Sequence, residues 1–269
     1  MRRKFVLSFL ILVVAVGGFY IMLLHLTKKK PAPPSSPAAI AAVPAQPAPT
    51  VPTPRYPVAT TMTVSGAPEE LPNLQNSDTT ILTALSAILK GKTVADYLSS
   101  EGFIRRLVAT IDNLPRESIA VQLRPVKSVE GKFLVLNEDN AIVVSPKNAE
   151  RYASYVEVLQ GLDSKKLVAL YVRFYPLFQQ AYQDLGYPNG YFNDRLIAVI
   201  DHLLSCPDAP ATLQLLQPHV AFQFADPDLE HMSAGDKILF RIGNANAKKV
   251  KQKLREIRAE LAVKSAAIL

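Results

Sequence analysis

The stretch LGYPNGYFNDRL, residues 185–196, lies between two apolar runs of helical period, and its reading decides the fold. Upstream, Leu167, Leu170, Phe174, Phe178, Ala181 and Leu185 form a stripe over 164–185, with Asp163 as N-cap. Pro176 sits inside that helix, where a kink about one turn earlier is expected. Gly186 suits a C′ position of positive φ, and Pro188 stands where a helix cannot continue. Asn189-Gly190 is a turn dipeptide. Asn193 reads as the next N-cap, Asp194 as a first-turn acid, and Phe192 as one half of a hydrophobic staple on Ile197. An apolar helix over 194–205 follows. The stretch therefore reads first as a corner between two helices.

Three residues exceed what a corner needs: Tyr187, Tyr191 and Arg195. Residues 171–192 also hold 8 of the 21 aromatics, so a surface that stacks on a sugar or peptide is the rival reading. Against it stand the absence of Trp and a helical spacing that explains Phe174 and Phe178 as core.

Working outward, helices are expected over 78–90, with Ser77 as N-cap and Gly91 as stop, and over 101–113, ended by Pro115. Residues 94–98 add a turn. Over 119–144 the period shortens: IAVQL reads as a strand, and KFLVLN with AIVV as a hairpin about Glu138-Asp139-Asn140. Ser145-Pro146 then opens a helix to about Gln160. Residues 212–224 read as two extended segments broken at Pro218, and Asp226-Pro227 as the start of a short helix. Ser233 and Asp236 approximate a capping box for a helix that ends at Gly243. The expected class is mainly α (α+β): a single helical domain with a small β-hairpin region, residues 77–264, and a tail at 265–269.

The last helix, about 245–262, places Ala247, Val250, Leu254, Ile257 and Leu261 on an a/d seam of two heptads. Docking of that seam on its own domain is preferred to pairing with a partner helix. Residues 237–264 carry nine basic and two acidic residues, which leaves 61–236 at −7. Lys248, Lys251, Arg255 and Arg258 are therefore a candidate interaction surface for anionic lipid, polymer or nucleic acid, against the plainer reading of a solvated face.

The N-terminal part differs in kind. A short basic flank, 1–4, precedes FVLSFLILVVAVGGFYIMLLHL, residues 5–26, long and apolar enough for a transmembrane helix. A cleaved signal peptide is the weaker alternative, because the apolar run is long and no small-x-small site closes it. Three positive charges flank each side, so charge does not fix the orientation; an exported domain is the commoner outcome. Residues 27–76 read as a disordered Pro/Ala-rich linker, and 31–72 alone hold 12 of the 21 prolines. Fully extended, those 42 residues reach at most roughly 130 Å. The excess of +7 lies entirely in the first 60 residues, since 61–269 balances 23 Lys and Arg against 23 Asp and Glu. The high isoelectric point is thus a property of the anchor, and a nucleic-acid partner is not implied.

Few chemistries survive inspection. Cys206, the sole cysteine, permits no internal disulfide or cysteine cluster and reads as a small buried hydrophobe. Lys-Gly-Lys-Thr at 90–93 lacks the glycine a phosphate loop needs at Ser86. No G-x-S-x-G or S-x-x-K occurs, and His202, His219 and His231 show no metal-ligand spacing. Asp226, Asp228 and Glu230 alternate as in a calcium loop, but Pro227 and a missing glycine favour a helix start. A carboxylate pair such as Asp194 with Asp201 stays open, at a spacing common by chance. No catalytic residue, cofactor or metal is expected.

From about residue 90 to 262, FIRRLVATIDNLPR, RYASYVEVL, YPLFQQAYQDLGYPNGYFNDRLIAVIDHLLSCP, ADPDLEHMSAGDKILFRIG and KVKQKLREIR resemble an uncharacterised bacterial family of single-pass, membrane-anchored proteins. The resemblance implies an inner-membrane-tethered envelope domain and no activity. The expected function is a non-enzymatic scaffold or interaction domain, periplasmic, with an envelope protein as partner. The alternatives are a binder or hydrolase of cell-wall material and a cytoplasm-facing domain that binds nucleic acid or anionic lipid. The sequence leaves the oligomeric state open.

Overall fold

A long helix organises the structure. In the computed structural model, which describes residues 53–58, 71–89, 94–138 and 140–266, every large helix packs on Ser164–Asp184 or on the C-terminal helix Asn244–Ala266. The expected membrane helix at 5–26 and the loop 90–93 lie outside the described residues. Among the described residues no helix is long and apolar enough to cross a membrane.

The helices are α1 (Asp78–Ile88), α2 (Val94–Tyr97), α3 (Phe103–Asn113), α4 (Asn148–Arg151), α5 (Ala153–Gly161), α6 (Ser164–Asp184), α7 (Phe192–Ser205), α8 (Pro227–Glu230), α9 (Ala234–Ile242) and α10 (Asn244–Ala266). The strands are β1 (Val135–Glu138), β2 (Ala141–Val144), β3 (Gln214–Leu216) and β4 (Gln223–Phe224). They form one antiparallel sheet in the order β1-β2-β3-β4. The fold is therefore mainly helical with a small sheet, and the hairpin expected over 132–144 is its first half, with β1 starting at Val135. The two segments expected around Pro218 are its second half, joined through Ile142 opposite Leu215.

Local signals act where they were read. Asp163 accepts from the amides of Lys165 and Lys166 and starts α6, and Asp226 accepts from Asp228 and starts α8. Ser233 accepts from the Asp236 amide at 3.0 Å, and Gly243 ends α9 at φ 81°. Helix α6 runs on past Pro176 as one element. α10 lays its seam on α5, α6, α7 and α9, the docking preferred above.

Three local expectations fail, and a fourth holds in position only. IAVQL is no strand: Val121–Leu123 forms a 3-10 turn with Val121 exposed. Its carbonyls are taken by α3 side chains, Arg106 to Gln122 and the Thr110 hydroxyl to Leu123, which leaves no ladder to join. The helix after Ser145 begins at Asn148 and restarts after Tyr152. The Asn148 amide is occupied instead as a strand mimic, since it accepts from the Leu134 amide at 3.0 Å and donates to the Leu134 carbonyl. Ser77 stands at the N-cap of α1 as read, but its side chain makes no capping bond; the hydroxyl is buried and donates to the Leu74 carbonyl. Its neighbour Asp78, the first residue of α1, caps α3, with its carboxylate on the amides of Gly102 (2.7 Å) and Phe103 (2.8 Å). Asn193 is not the cap of α7 either, because that helix begins one residue earlier at Phe192. Phe192 stacks on Phe178 of α6 rather than serving as a staple from outside the helix.

Two pieces of the stretch expected as linker, 53–58 and 71–76, lie with the folded part: Leu74 is buried, and Tyr56 packs against the cluster of Val168, Ile197, Ile200 and Leu261. At the other end, Ser265 is buried within α10.

Candidate functional site

The corner at 185–196 is built around a carboxylate that belongs to another helix. Asp112, in the last turn of α3, has a side chain only 3% exposed. Arg195 of α7 donates through Nε to its Oδ1 at 2.9 Å and through Nη2 to its backbone carbonyl at 2.6 Å. Arg116, one turn on, reaches Oδ2 at 3.0 Å, and the Tyr187 hydroxyl donates to the same oxygen at 3.2 Å. Two guanidiniums and a phenol thus neutralise one buried charge, the condition under which such a charge is tolerated. The Tyr187 ring stacks on Tyr182 of α6 at 4.6 Å. Gly190 makes this approach possible: a Cβ there would lie 2.9 Å from the Tyr182 ring and 3.2 Å from Tyr187 Cβ. Gly186 takes the positive φ expected of it, 114°. Gln179 of α6 closes the corner, accepting from the Phe192 amide and donating to the Gly190 carbonyl.

The next residues hold the chain that leads into the domain. Asp194 accepts from the amides of Arg55 at 2.9 Å and Tyr56 at 2.8 Å. Asn193 donates to the Tyr56 carbonyl at 2.9 Å and accepts from the Tyr171 hydroxyl. Arg258 lies over the Tyr56 ring at 5.7 Å, and its guanidinium pairs with Asp201. The two carboxylates that share the α7 face are thereby divided: Asp194 holds backbone and Asp201 holds Arg258. Burial pushes the Tyr175 hydroxyl up to about 12 and Tyr171 well above its ordinary value.

The candidate basic surface fares differently along α10. Lys248 and Arg255 are exposed, and Lys248 lies 3.6 Å from Asp208. Lys251 is buried and donates to the Cys206 carbonyl at 2.5 Å. Lys253, also buried, donates to the Leu162 carbonyl and pairs with Glu256, whose carboxyl it holds below the usual range. Of the seven candidates, Tyr187, Arg195 and Arg258 join internal networks, Lys251 is sequestered, and Tyr191, Lys248 and Arg255 face outward at least in part.

One cluster resembles a nucleophile's surroundings. His202 Nε2 lies 2.9 Å from the Ser233 hydroxyl, which itself donates to Asp236 Oδ2 at 2.7 Å. A serine activated by histidine gives its proton to the imidazole, with the carboxylate on the far ring nitrogen. Here the serine hydroxyl donates to the carboxylate instead, and its oxygen accepts from the Asp236 amide, so Ser233 acts as a cap. Cys206 beside it is no better placed: burial, then the Asp236 carboxylate, push its thiol up to about 12.

A family model described as "Protein of unknown function (DUF3014)" matches residues 103–258, from the first residue of α3 to Arg258. The chain belongs to the DUF3014 family. No curated protein and no solved structure matches it. The matched span contains Asp112, the corner and most of α10; α1 and the segment at 53–58 complete the DUF3014 core from outside it.

That core is not filled. A cavity of about 390 Å³ lies among α1, α3, α6, α7 and α10, where three apolar clusters meet. Its lining is Leu, Ile, Val and Phe, with Tyr171 as the exception, and the Tyr171 hydroxyl is already bonded to Asn193. The cavity is partly open rather than an enclosed void. Water finds no partners in such a lining. Sequence periodicity could not locate the cavity, because a residue that faces a void and one that faces a neighbour have the same period. Asp112 did carry a signal, an acid one turn beyond Ile104 and Val108 on the apolar face of α3.

Proposed function

We propose that this DUF3014 protein is a non-enzymatic interaction domain of the bacterial cell envelope, held at the inner membrane by residues 5–26 and facing the periplasm. The observation that carries the reading is the outer face of the sheet. In a strand, side chains alternate between faces. Val135, Val144, Ile142, Leu215 and Phe224 point into the core, so Leu136 and Leu216 fall on the other side, together with exposed Gln214 and Gln223 and the buried Val143. Leu136 is 41% exposed, Leu216 is 56% exposed and Val220, in the β3–β4 connection, is 93% exposed. Leu136 and Leu216 are the exposed large apolar side chains of that face, and they support a contact with another protein there. The outward groups of the corner and of α10 give a weaker case. Tyr187 and Arg195 are committed to Asp112, which takes from the cell-wall reading two of the side chains it needed. Burial of Lys251 and Lys253 does the same to the nucleic-acid and anionic-lipid reading.

In vivo photocrosslinking from position 136 or 216 tests the proposal. One defined envelope protein captured from both sites, and not from position 255, is the expected result. Blank reactions at 136 and 216 with capture at 191 or 255 would move the interface to the corner or to α10.

A further inference from the structure

We propose that β1 is a pairing edge for a second copy of this chain, the two β1 strands running antiparallel about a two-fold axis at Leu136. The inference goes beyond the envelope partner proposed for the sheet face. It uses the backbone edge of the sheet, and it leaves Leu216, on β3, free for that partner.

The two edges of the sheet are finished differently. On β4 the Phe224 amide donates to the Glu230 carboxylate of α8 at 2.8 Å, and Lys237 of α9 pairs with the same carboxylate. A side chain thus occupies the place a further strand would take. β1 is the other edge, and among the described residues no strand lies on its outer side. The ladder shows which of its groups face out. Ser145 donates to the Leu134 carbonyl at 3.1 Å, whereas Val144 donates to Leu213 on the β3 side at 2.9 Å. Hydrogen-bonded and non-hydrogen-bonded pairs alternate along an antiparallel ladder. Val135, opposite Val144, and Asn137, opposite Ile142, therefore turn their amides and carbonyls outward. Leu136, Asn137 and Glu138 are exposed, and β1 holds no proline to block a strand.

This edge fits a copy of itself. Two outward-bonding residues that flank a third are what an antiparallel two-fold needs. Val135 of one copy would bond Asn137 of the other on each side of a Leu136–Leu136 pair, and exposed Leu136 would be covered by its own counterpart. Charge chooses the direction. Exposed Lys132 precedes the strand and exposed Glu138 ends it. Antiparallel pairing sets the basic end of one strand beside the acidic end of the other, whereas parallel pairing sets like against like.

Disulfide trapping on the full chain in detergent micelles tests register as well as contact. Opposed residues of a non-hydrogen-bonded pair have Cα atoms about 4.5 Å apart, within the roughly 4.4–6.8 Å that a disulfide spans. Leu136→Cys should therefore form a disulfide-linked dimer on oxidation. Glu138→Cys should not, because its counterpart would lie about 13 Å away along the strand. The unaltered chain, with Cys206 buried, sets the background. A ratio of at least tenfold between the 136 and 138 dimers is expected. Asn137→Pro, added to Leu136→Cys, removes an outward amide and no bond of the β1–β2 ladder, and should lower the dimer at least tenfold. Glu138→Lys should lower it several-fold, and Lys132→Glu in the same chain should restore it. Dimer at 136 no more abundant than at 138 overturns the proposal, as does dimer that Asn137→Pro leaves unchanged. Should Asn137→Pro fail to fold, the comparison of 136 with 138 and the charge exchange decide. No dimer at 136, with photocapture there of a different protein, would give the edge to that protein and overturn the second-copy assignment. Photocapture at 216 reads the sheet face and the disulfide at 136 reads the edge, so either can fail while the other stands.

Discussion

Arg195→Met removes the guanidinium that ties α7 to α3 and leaves the rest of the corner in place. Asp112 would keep Arg116 and Tyr187 on Oδ2 and lose its partner on Oδ1, together with the bond to its backbone carbonyl. Removal of one member of a fully buried ion pair costs about 3–5 kcal/mol. Arg195 is 29% exposed and Arg116 is 57% exposed, so solvent screens part of that loss and a second cation remains. The expected cost is ~2–3 kcal/mol, roughly a thirty- to 150-fold shift in the folding equilibrium. Urea unfolding followed by far-ultraviolet circular dichroism reads it as a lower midpoint at unchanged slope. Arg255→Met, an exposed change on α10, should stay within about 0.5 kcal/mol. The double variant Asp112→Leu with Arg195→Met should recover part of the loss, because no buried charge is then left unpaired and the Arg116 charge is 57% exposed. A cost for Arg195→Met no larger than for Arg255→Met would refute the structural reading of the corner and return Arg195 to the list of free binding groups.

Three further outcomes follow from the same contacts. Asp194→Ala frees the amides of Arg55 and Tyr56, so trypsin should cut after Arg55 several-fold faster while the unfolding midpoint of the domain moves little. Cys206, with its thiol pushed up to about 12, should resist maleimide at pH 8 in the native protein and react only in denaturant. Burial raises Tyr175 to about 12, so the neutral phenol favours the folded state; that contribution is complete below the unfolded value of 10.0 and is lost as pH rises from there towards 12. Tyrosinate absorbance during alkaline titration should accordingly rise in step with unfolding over that window.

The parts of this fold that the sequence made legible are those set by neighbours in the chain. The Asp163 and Asp226 caps, the Gly186 and Gly243 helix ends, the 135–144 hairpin and the seam of α10 each rest on residues within a turn or two of one another. What stayed hidden depends on long loops closing. Asp112 meets Arg195 across 83 residues, and Asp194 meets Tyr56 across 138. No local pattern reveals that Asn148 stands in for a strand or that Asp78 caps a helix other than its own. Lys251 and Lys253 show the same limit for charge: a count of basic residues treats them as a surface, yet carbonyls at the ends of α7 and α5 draw both inward. Candidate site residues were therefore legible as types and places, and their roles only through partners.

The central claim, a domain tethered at the inner membrane and exported from the cytoplasm, is tested most directly by topology. Two reporters would be fused after residue 50, ahead of the segment at Arg55 and Tyr56 that docks on the domain, one active only outside the cytoplasm and one only inside. Activity of the outside reporter alone is the predicted result. Activity of the inside reporter alone would contradict the account, place the sheet face before cytoplasmic partners, and make Lys248 and Arg255 the first surface residues to replace.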